Sequence, residues 1–128
     1  MIRQYPDIET VLVGLLLESS ILQGAGTNDL PGNLAYRLPY GLVLRAGGDD
    51  DGVSDYPTVD VEIYAAQRVN GRALCEQVRQ YLTGSGRPPY PLDRVETVGA
   101  ITELPYGGRH IRRWSNTYRV TTRRITVA

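Results

Sequence analysis

The chain of 128 residues contains no lysine and no phenylalanine, and it has one cysteine, Cys75, and one histidine, His110. The lack of lysine excludes Schiff-base chemistry and lysine general bases. A single cysteine excludes an intramolecular disulfide and a Cys-x-x-Cys zinc site, and it favours a cytosolic folding environment. Arginine supplies all 14 basic residues, a bias that is typical of a GC-rich genome.

Neither sign of charge is in excess, because 14 acidic residues balance the 14 basic ones. The overall charge therefore indicates neither a nucleic acid nor a membrane surface as a partner. Hydrophobic residues make up 41% of the chain and charged residues 22%, which is typical of a globular protein and not of a disordered one. A chain of this length forms one domain, residues 1–128, with its own core.

Long apolar runs are also lacking. The most apolar stretch, VLVGLLL at residues 11–17, is far shorter than the roughly 20 residues of a membrane span. Asp7 and Glu9 before it and Glu18 after it do not suit a signal peptide, so we expect a soluble protein. The stretch instead predicts a helix that Asp7 caps and that ends near Leu22.

This first helix is apolar on more than one side. Its main stripe has helical spacing and consists of Ile8, Val11, Leu12 and Leu15. A second apolar group lies off that stripe and consists of Val13, Leu16 and Leu17. The second group is either buried in the core of the subunit or contacts another subunit.

Four segments have the pattern of strands. Apolar and polar residues alternate over residues 40–48 and 58–65, and β-branched residues are frequent in 93–106. The apolar spacing changes phase around Gly99, which predicts a β-bulge there. In the last segment, 111–124, one set of alternate residues is expected to face the helices and the other to face away. The first set is Trp114, Tyr118 and Val120, and the second is Arg113, Arg119 and Arg123.

A second helix is predicted over about residues 71–82, between an Asn70 cap and Gly84. Cys75 lies beside its apolar stripe, as a small core residue does more often than a nucleophile. The order α-β-β-α-β-β predicts a small α+β domain. We expect a largely antiparallel four-stranded sheet with two helices packed on one face.

Two segments are predicted to be loops. Residues 23–33 are loop-like by composition, and residues 47–57, GGDDDGVSDYP, are expected to connect two strands of a hairpin. The acids are consecutive and flanked by strands, so they do not match an EF-hand loop. A weak cation site formed by Asp49, Asp51 and Asp55 is the alternative to a solvated turn.

No catalytic set can be assembled from the sequence. His110, the only histidine, lies in a predicted turn, and no serine has the G-x-S-x-G motif of a nucleophile that it could activate as a general base. Asp60 and Glu62 lie on one strand face, as carboxylates do in some metal-dependent nucleases, but no lysine completes such a site. We therefore expect no enzyme, no catalytic residue, no metal and no cofactor. A cation-dependent nuclease remains the alternative. Metal-dependent DNA cleavage that is lost in Asp60→Ala would favour it.

Two stretches resemble the tail terminator (tail completion) proteins of long-tailed bacteriophages. Residues 56–82, YPTVDVEIYAAQRVNGRALCEQVRQYL, are similar to an acidic-faced strand of that family that leads straight into a helix. Residues 93–124 are similar to the end of the family, where LPY precedes IRRWSNTYRVTTRR. The amino-terminal helix with its acidic start also fits.

This resemblance implies a structural protein of the virion, made in the host cytoplasm. Tail terminators form hexameric rings that cap the head-proximal end of the tail tube, stop its polymerisation and join it to the head. The implied partners are further copies of the chain, the major tail tube protein and the head-completion or connector proteins, with no membrane. DNA would pass through the lumen without sequence-specific contact. Another neck protein, such as a head-closure component, is the alternative.

A closing ring needs two different complementary patches on each subunit. The clearest pair in the sequence is an acidic stripe and a basic stripe, which consist of Asp60 and Glu62, and of Arg113, Arg119 and Arg123. We expect these stripes to meet across the subunit interface, with Arg119→Glu weakening assembly and Glu62→Arg partly restoring it. The alternative is that they pair within one subunit as neighbouring strands.

Overall fold

The computed structural model describes residues 2–107 and 110–127. Within these residues the chain forms two α-helices, α1 (Ile8–Glu18) and α2 (Gly71–Thr83), and seven strands. The strands are β1 (Ile2–Gln4), β2 (Gly24–Thr27), β3 (Tyr40–Asp50), β4 (Ser54–Ala66), β5 (Arg94–Leu104), β6 (Ile111–Arg123) and β7 (Ile125–Val127). The predicted α+β class is confirmed.

The main sheet has five strands in the order β2-β3-β4-β6-β5. β2 runs parallel to β3, and the other neighbours are antiparallel. The prediction of four strands was therefore wrong by one, and the sheet is mixed. β1 and β7 form a separate antiparallel pair that joins the two ends of the described chain.

The additional strand, β2, lies in the segment 23–33 that composition marks as a loop. A Cβ atom on Gly24 would lie 2.9 Å from the ring of Tyr40, and one on Gly26 would overlap the Tyr40 hydroxyl. Glycine therefore serves here to let an aromatic ring lie across the strand, and not to make a turn. Sequence pattern alone does not distinguish these two uses of glycine.

Helix α1 begins after Asp7 as predicted but ends at Glu18, four residues before Leu22. The Asp7 carboxylate accepts a hydrogen bond from the Thr10 hydroxyl, 2.9 Å away, and makes no bond to the backbone of the helix. The two off-stripe leucines have different surroundings, since Leu16 is fully buried and Leu17 is 48% exposed. Leu16 therefore belongs to the core of the subunit, and Val13 is partly buried against the same core, whereas Leu17 remains open to a contact with another subunit.

Helix α2 has the predicted ends. The side-chain oxygen of Asn70 accepts a hydrogen bond from the backbone N–H of Ala73 at 3.1 Å, and Gly84 ends the helix in the left-handed region with φ of +55°. Cys75 faces the core and is buried, as its place beside the apolar stripe indicated. Burial raises the pKa of its thiol to about 12, which leaves almost no reactive thiolate near neutral pH.

The core lies between one face of the sheet and the two helices. Alternate side chains of β4 point to this face and are buried, and β6 places Tyr118 and Val120 beside them. The helices contribute their own buried side chains to the same cluster. From α1 these are Ile8, Leu12, Leu15 and Leu16, and from α2 they are Cys75, Val78 and Leu82.

The bulge predicted in β5 is present. The register with β6 changes between the pair Val98 and Thr117 and the pair Thr102 and Ser115, and Gly99 has φ of +83°. Three residues of β5 thus lie opposite the single residue Asn116. The change of apolar phase in the sequence was the signal of this irregularity.

Trp114 packs against the core from the helix side, in the phase predicted with Tyr118 and Val120. Its indole ring lies against the first residue of α2, Gly71, so closely that a Cβ atom there would overlap the indole nitrogen Nε1. The missing side chain of Gly71 is therefore the space that the indole ring needs. By contrast, a Cβ atom on Gly14 of α1 would meet nothing within 4 Å.

We predict opposite effects for two Gly→Ala variants. Gly71→Ala should lower the free energy of unfolding by about 1–3 kcal/mol, because the new methyl group displaces the indole ring. Gly14→Ala, the matched control, should raise it by about 0.5–1 kcal/mol, because alanine suits a helix interior better than glycine. Urea unfolding followed by the fluorescence of Trp114 measures both. Equal effects of the two variants would show that Trp114 does not pack on Gly71.

Candidate functional site on the helix-free face

The five residues predicted to form an interface lie on the face of the sheet opposite the helices. β4 and β6 are direct neighbours, and their register places Tyr64 beside Arg113 and Thr58 beside Arg119. The acidic and the basic stripe are thus adjacent within one subunit. The structure therefore shows the alternative arrangement, in which the stripes pair as neighbouring strands of one subunit.

Glu62 is the centre of a polar cluster and is only 6% exposed. One carboxylate oxygen, Oε2, accepts a hydrogen bond from Nη2 of Arg113 at 2.5 Å, and the other, Oε1, accepts one from the Tyr64 hydroxyl at 2.9 Å. Burial and the hydrogen bond to Glu62 raise the pKa of Tyr64 well above its usual value. The same carboxylate raises the pKa of Arg113. Both carboxylate oxygens of Glu62 are therefore hydrogen-bonded within the subunit.

The helix-free face is partly covered by the chain between β2 and β3. Side chains from this connection, including the buried Leu34, pack on Tyr40, Leu42 and Tyr64 and form a second, smaller apolar cluster. The ring of Tyr106 meets that of Tyr64 edge-on, with the centroids 5.4 Å apart. This cover, which includes the short 3-10 helix Leu34–Tyr36, explains why Glu62 is withdrawn from solvent although α1 and α2 pack on the other face.

The other members of the stripes differ in their availability. Asp60 accepts a hydrogen bond from the Thr117 hydroxyl at 2.6 Å. Arg123 binds Asp93 with two nitrogens, at 2.8 and 3.1 Å. Arg119 is exposed, and its guanidinium lies over the ring of Tyr56, 5.8 Å from the centroid. Of the five residues, Arg119 alone is exposed and forms no hydrogen bond or ion pair with a residue that the structure describes.

The aspartate run belongs to the tip of a hairpin that is tighter than predicted. β3 and β4 remain paired as far as Asp50 and Asp55, so the connection is only residues 51–53. Asp51 closes it by accepting hydrogen bonds from the backbone N–H groups of Val53 and Ser54 at 2.9 and 2.7 Å. These bonds, with that from Ser54 foremost, lower the pKa of the Asp51 carboxyl.

A cation site at this tip has no support in the geometry. Asp55 is buried and binds both terminal nitrogens of Arg45 at 3.2 Å, so it does not join Asp49 and Asp51 around an ion. In the part of the chain that the structure describes, no three His, Cys, Asp or Glu side chains are grouped so as to hold a metal ion. His110 is exposed in the turn before β6 with φ of +63°.

Sequence reasoning missed the partners that give these residues their setting. Tyr64 and Asp93 were not singled out, although they bind Glu62 and Arg123. Asp93 and Arg123 are 30 positions apart, and Glu62 and Arg113 are 51 positions apart. The pairing of the two stripes as neighbouring strands, given above as the alternative to an intersubunit contact, is what brings the second pair together.

No protein-family model matches this chain, and no curated protein matches it either. Among residues 2–107 and 110–127, no helix has both the length and the apolar character needed to cross a membrane. The evidence on function is therefore the sequence of segments 56–82 and 93–124 and the exposed surfaces of the subunit.

The Glu62 cluster yields a prediction about stability. Glu62→Gln should lower the free energy of unfolding by about 2–3 kcal/mol, because it leaves the Arg113 guanidinium without its counter-ion in a half-buried site. Asp60→Asn, the matched control, should cost at most about 1 kcal/mol, because it weakens a single hydrogen bond. Urea unfolding measures both variants. Two equally small changes would show that the Glu62–Arg113 pair contributes little.

The same geometry corrects the expected rescue of assembly by Glu62→Arg. This substitution would place a second guanidinium against Arg113 in a site from which water is largely excluded. Its main effect should be to destabilise the subunit, so it cannot report on an interface. The compensating charge for Arg119 must come from another residue.

Proposed function

We propose that this protein is a structural component of a bacteriophage virion, a tail terminator that forms a ring on the head-proximal end of the tail tube. The ring stops tube polymerisation and offers the head its joining surface. The observation that carries this proposal is the resemblance of residues 56–82 and 93–124 to the tail terminator family.

The fold supports treating these two stretches as one unit. The first contains most of β4 and of α2, and the second contains β5 and β6. β6 lies directly beside β4, and α2 packs over the sheet that they form. The Glu62–Arg113 pair and the Asp60–Thr117 hydrogen bond join one stretch to the other. The two stretches that carry the resemblance are therefore also the two that build the middle of the subunit.

The proposed ring requires surfaces that a single subunit leaves open. β5 lies at the edge of the sheet and pairs only with β6 among the described strands, so its outer backbone groups are free for another chain. Leu17 and Val98 are both 48% exposed. In this proposal the partners are further copies of the chain, the major tail tube protein and the head-completion or connector proteins.

The proposed role is not enzymatic and assigns no catalytic residue, metal or cofactor. DNA passes through the lumen of the ring without sequence-specific contact, in keeping with the balanced charge of the chain. The protein is made in the host cytoplasm and becomes part of the neck of the virion. A hexamer is the stoichiometry that the family resemblance implies.

The function predicts that the purified protein arrests growing tubes. Major tail tube protein from the same phage, polymerising in vitro, should stop elongating when this protein is added, and rings should be seen at one end of each tube by negative-stain microscopy. A tail terminator must bind tube ends, whereas a head-closure protein would bind head connectors. Tubes that elongate unchanged, with no density at their ends, would contradict the proposal.

Arg119 is the one residue of the two stripes whose role at the ring interface can be tested cleanly. Arg119→Glu should raise the concentration needed for half-assembly by about tenfold or more, because on this proposal Arg119 faces an acidic group of the next copy and the variant reverses its charge while the fold is kept. Arg87→Glu, with the same change of charge on an exposed loop, is the control. Sedimentation at low salt measures both. Identical assembly of the two variants would remove Arg119 from the interface.

A further inference from the structure

A groove of about 330 Å³ lies between helix α2 and the edge strand β5. Its walls include Arg72, Glu76 and Arg79 from the helix and residues 99–101 from the strand, and Asn116 of β6 lies at its floor. None of these residues belongs to the interface predicted from the sequence. The groove opens on the helix side of the sheet, whereas the Glu62 cluster lies on the opposite face.

The β-bulge creates this groove. Residues 99–101 have no ladder partner in β6, and no strand lies on their outer side within the described chain. Of their backbone groups, the carbonyl of Ala100 accepts a hydrogen bond from the Thr102 hydroxyl at 3.1 Å. Gly99 and Ala100 are also exposed, so the outer side of the bulge is accessible to the main chain of another molecule.

Asn116 adds a second, independent sign of a missing ligand. It is only 4% exposed, yet neither Nδ2 nor Oδ1 of its amide has a hydrogen-bond partner among the described residues. A buried amide without partners is rare in folded proteins. Because it donates and accepts at once, the amide matches the N–H and C=O groups of a peptide main chain.

The charges of the groove favour an acidic peptide. Arg79 binds Glu76 one turn earlier in the helix. Arg72 is exposed and forms no ion pair with any residue that the structure describes. A guanidinium presents a fork of N–H donors that suits a carboxylate.

The chain carries a segment with this chemistry at the tip of the β3–β4 hairpin. Residues 47–53 are exposed throughout, contain three consecutive aspartates and end in Val53, which is 70% exposed. The carboxylate of Asp49 forms no hydrogen bond to any described residue, whereas that of Asp51 is used to close the turn. An exposed acidic arm with an apolar end thus complements a basic groove that has Ile101 in its wall.

The arm cannot reach the groove of its own subunit. Asn116 pairs with Val61 of β4, whereas Asp49 of the arm pairs with Tyr56, five residues further along the same strand. At about 3.3 Å per residue this is a separation of roughly 17 Å along the sheet, and two further strands, β4 and β6, lie between β3, which carries Asp49, and the edge strand β5. An occupant with this sequence must come from another molecule.

We propose that the groove between α2 and β5 binds the acidic hairpin tip, residues 47–53, of a second copy of this chain. The main chain of the tip meets the bulge and the Asn116 amide, and its carboxylates meet Arg72. Arm and groove are different patches on one subunit, so the contact is of the head-to-tail kind that closes a ring. This inference rests on the proposed ring and names the interface that closes it.

Charge reversal across the contact tests the proposal. Arg72→Glu and Asp49→Arg should each raise the half-assembly concentration about tenfold or more in sedimentation at low salt, because each places like charges together. The double variant should return to within about threefold of the wild type, since the pair is restored with reversed sign. Arg87→Glu is the control for net charge and should assemble like the wild type.

The effects of Asn116→Leu distinguish two roles of the Asn116 amide, binding a second copy of the chain and stabilising the fold. It should make the isolated subunit more resistant to urea, because an unpartnered buried amide is removed, and it should weaken assembly. If the amide serves only the fold through a bound water, the variant should be less stable and should assemble normally. That result would overturn the proposal.

Two further outcomes distinguish this proposal from the function on which it rests. Rings that form equally well from the wild type, Arg72→Glu and Asp49→Arg would overturn the groove contact and leave the ring function intact. A wild type that stays monomeric at every concentration would overturn both. A double variant no better than the single ones would show that arm and groove do not meet.

Discussion

The pairing of β4 with β6 is the constraint on which the rest of the structure depends. It joins residues 54–66 to residues 111–123 in one antiparallel ladder of constant register and so brings Glu62 beside Arg113. On the helix side the same ladder places Val59, Val61 and Tyr118 under the helices. One long-range pairing thus makes both the apolar core and the polar cluster on the opposite face. A partly buried ion pair of this kind is weak evidence for added stability, but leaving its more buried partner alone is costly.

This pairing also decides what the surface is free to do. Because Glu62, Arg113 and Arg123 are bound within the subunit, most of the acidic and basic stripes are not available to another molecule. The features left unpartnered lie elsewhere, at the bulged edge strand with Asn116 and at the acidic hairpin tip. A ring of identical subunits needs two such different patches. The proposed contact between subunits therefore uses the edge strand and the hairpin tip, and not the polar face of the sheet.

Local patterns predicted the features that depend on neighbouring residues. The Asn70 cap and Gly84 define α2, the phase change at Gly99 marks the bulge, and Trp114 faces the core as its alternation with Tyr118 indicated. Features that depend on distant residues could not be read in this way. β2 looks like a loop because its glycines make room for Tyr40, and Asn116 looks like an ordinary strand residue until the bulge removes its neighbour.

Negative-stain electron microscopy of the purified protein tests the central claim, that the subunit closes into a ring, most directly. At concentrations where sedimentation shows a single assembled species, the particles should be closed rings, six-fold by the family resemblance, with a lumen wide enough for duplex DNA. Only monomers, two-fold dimers or open filaments at every protein concentration would contradict the account.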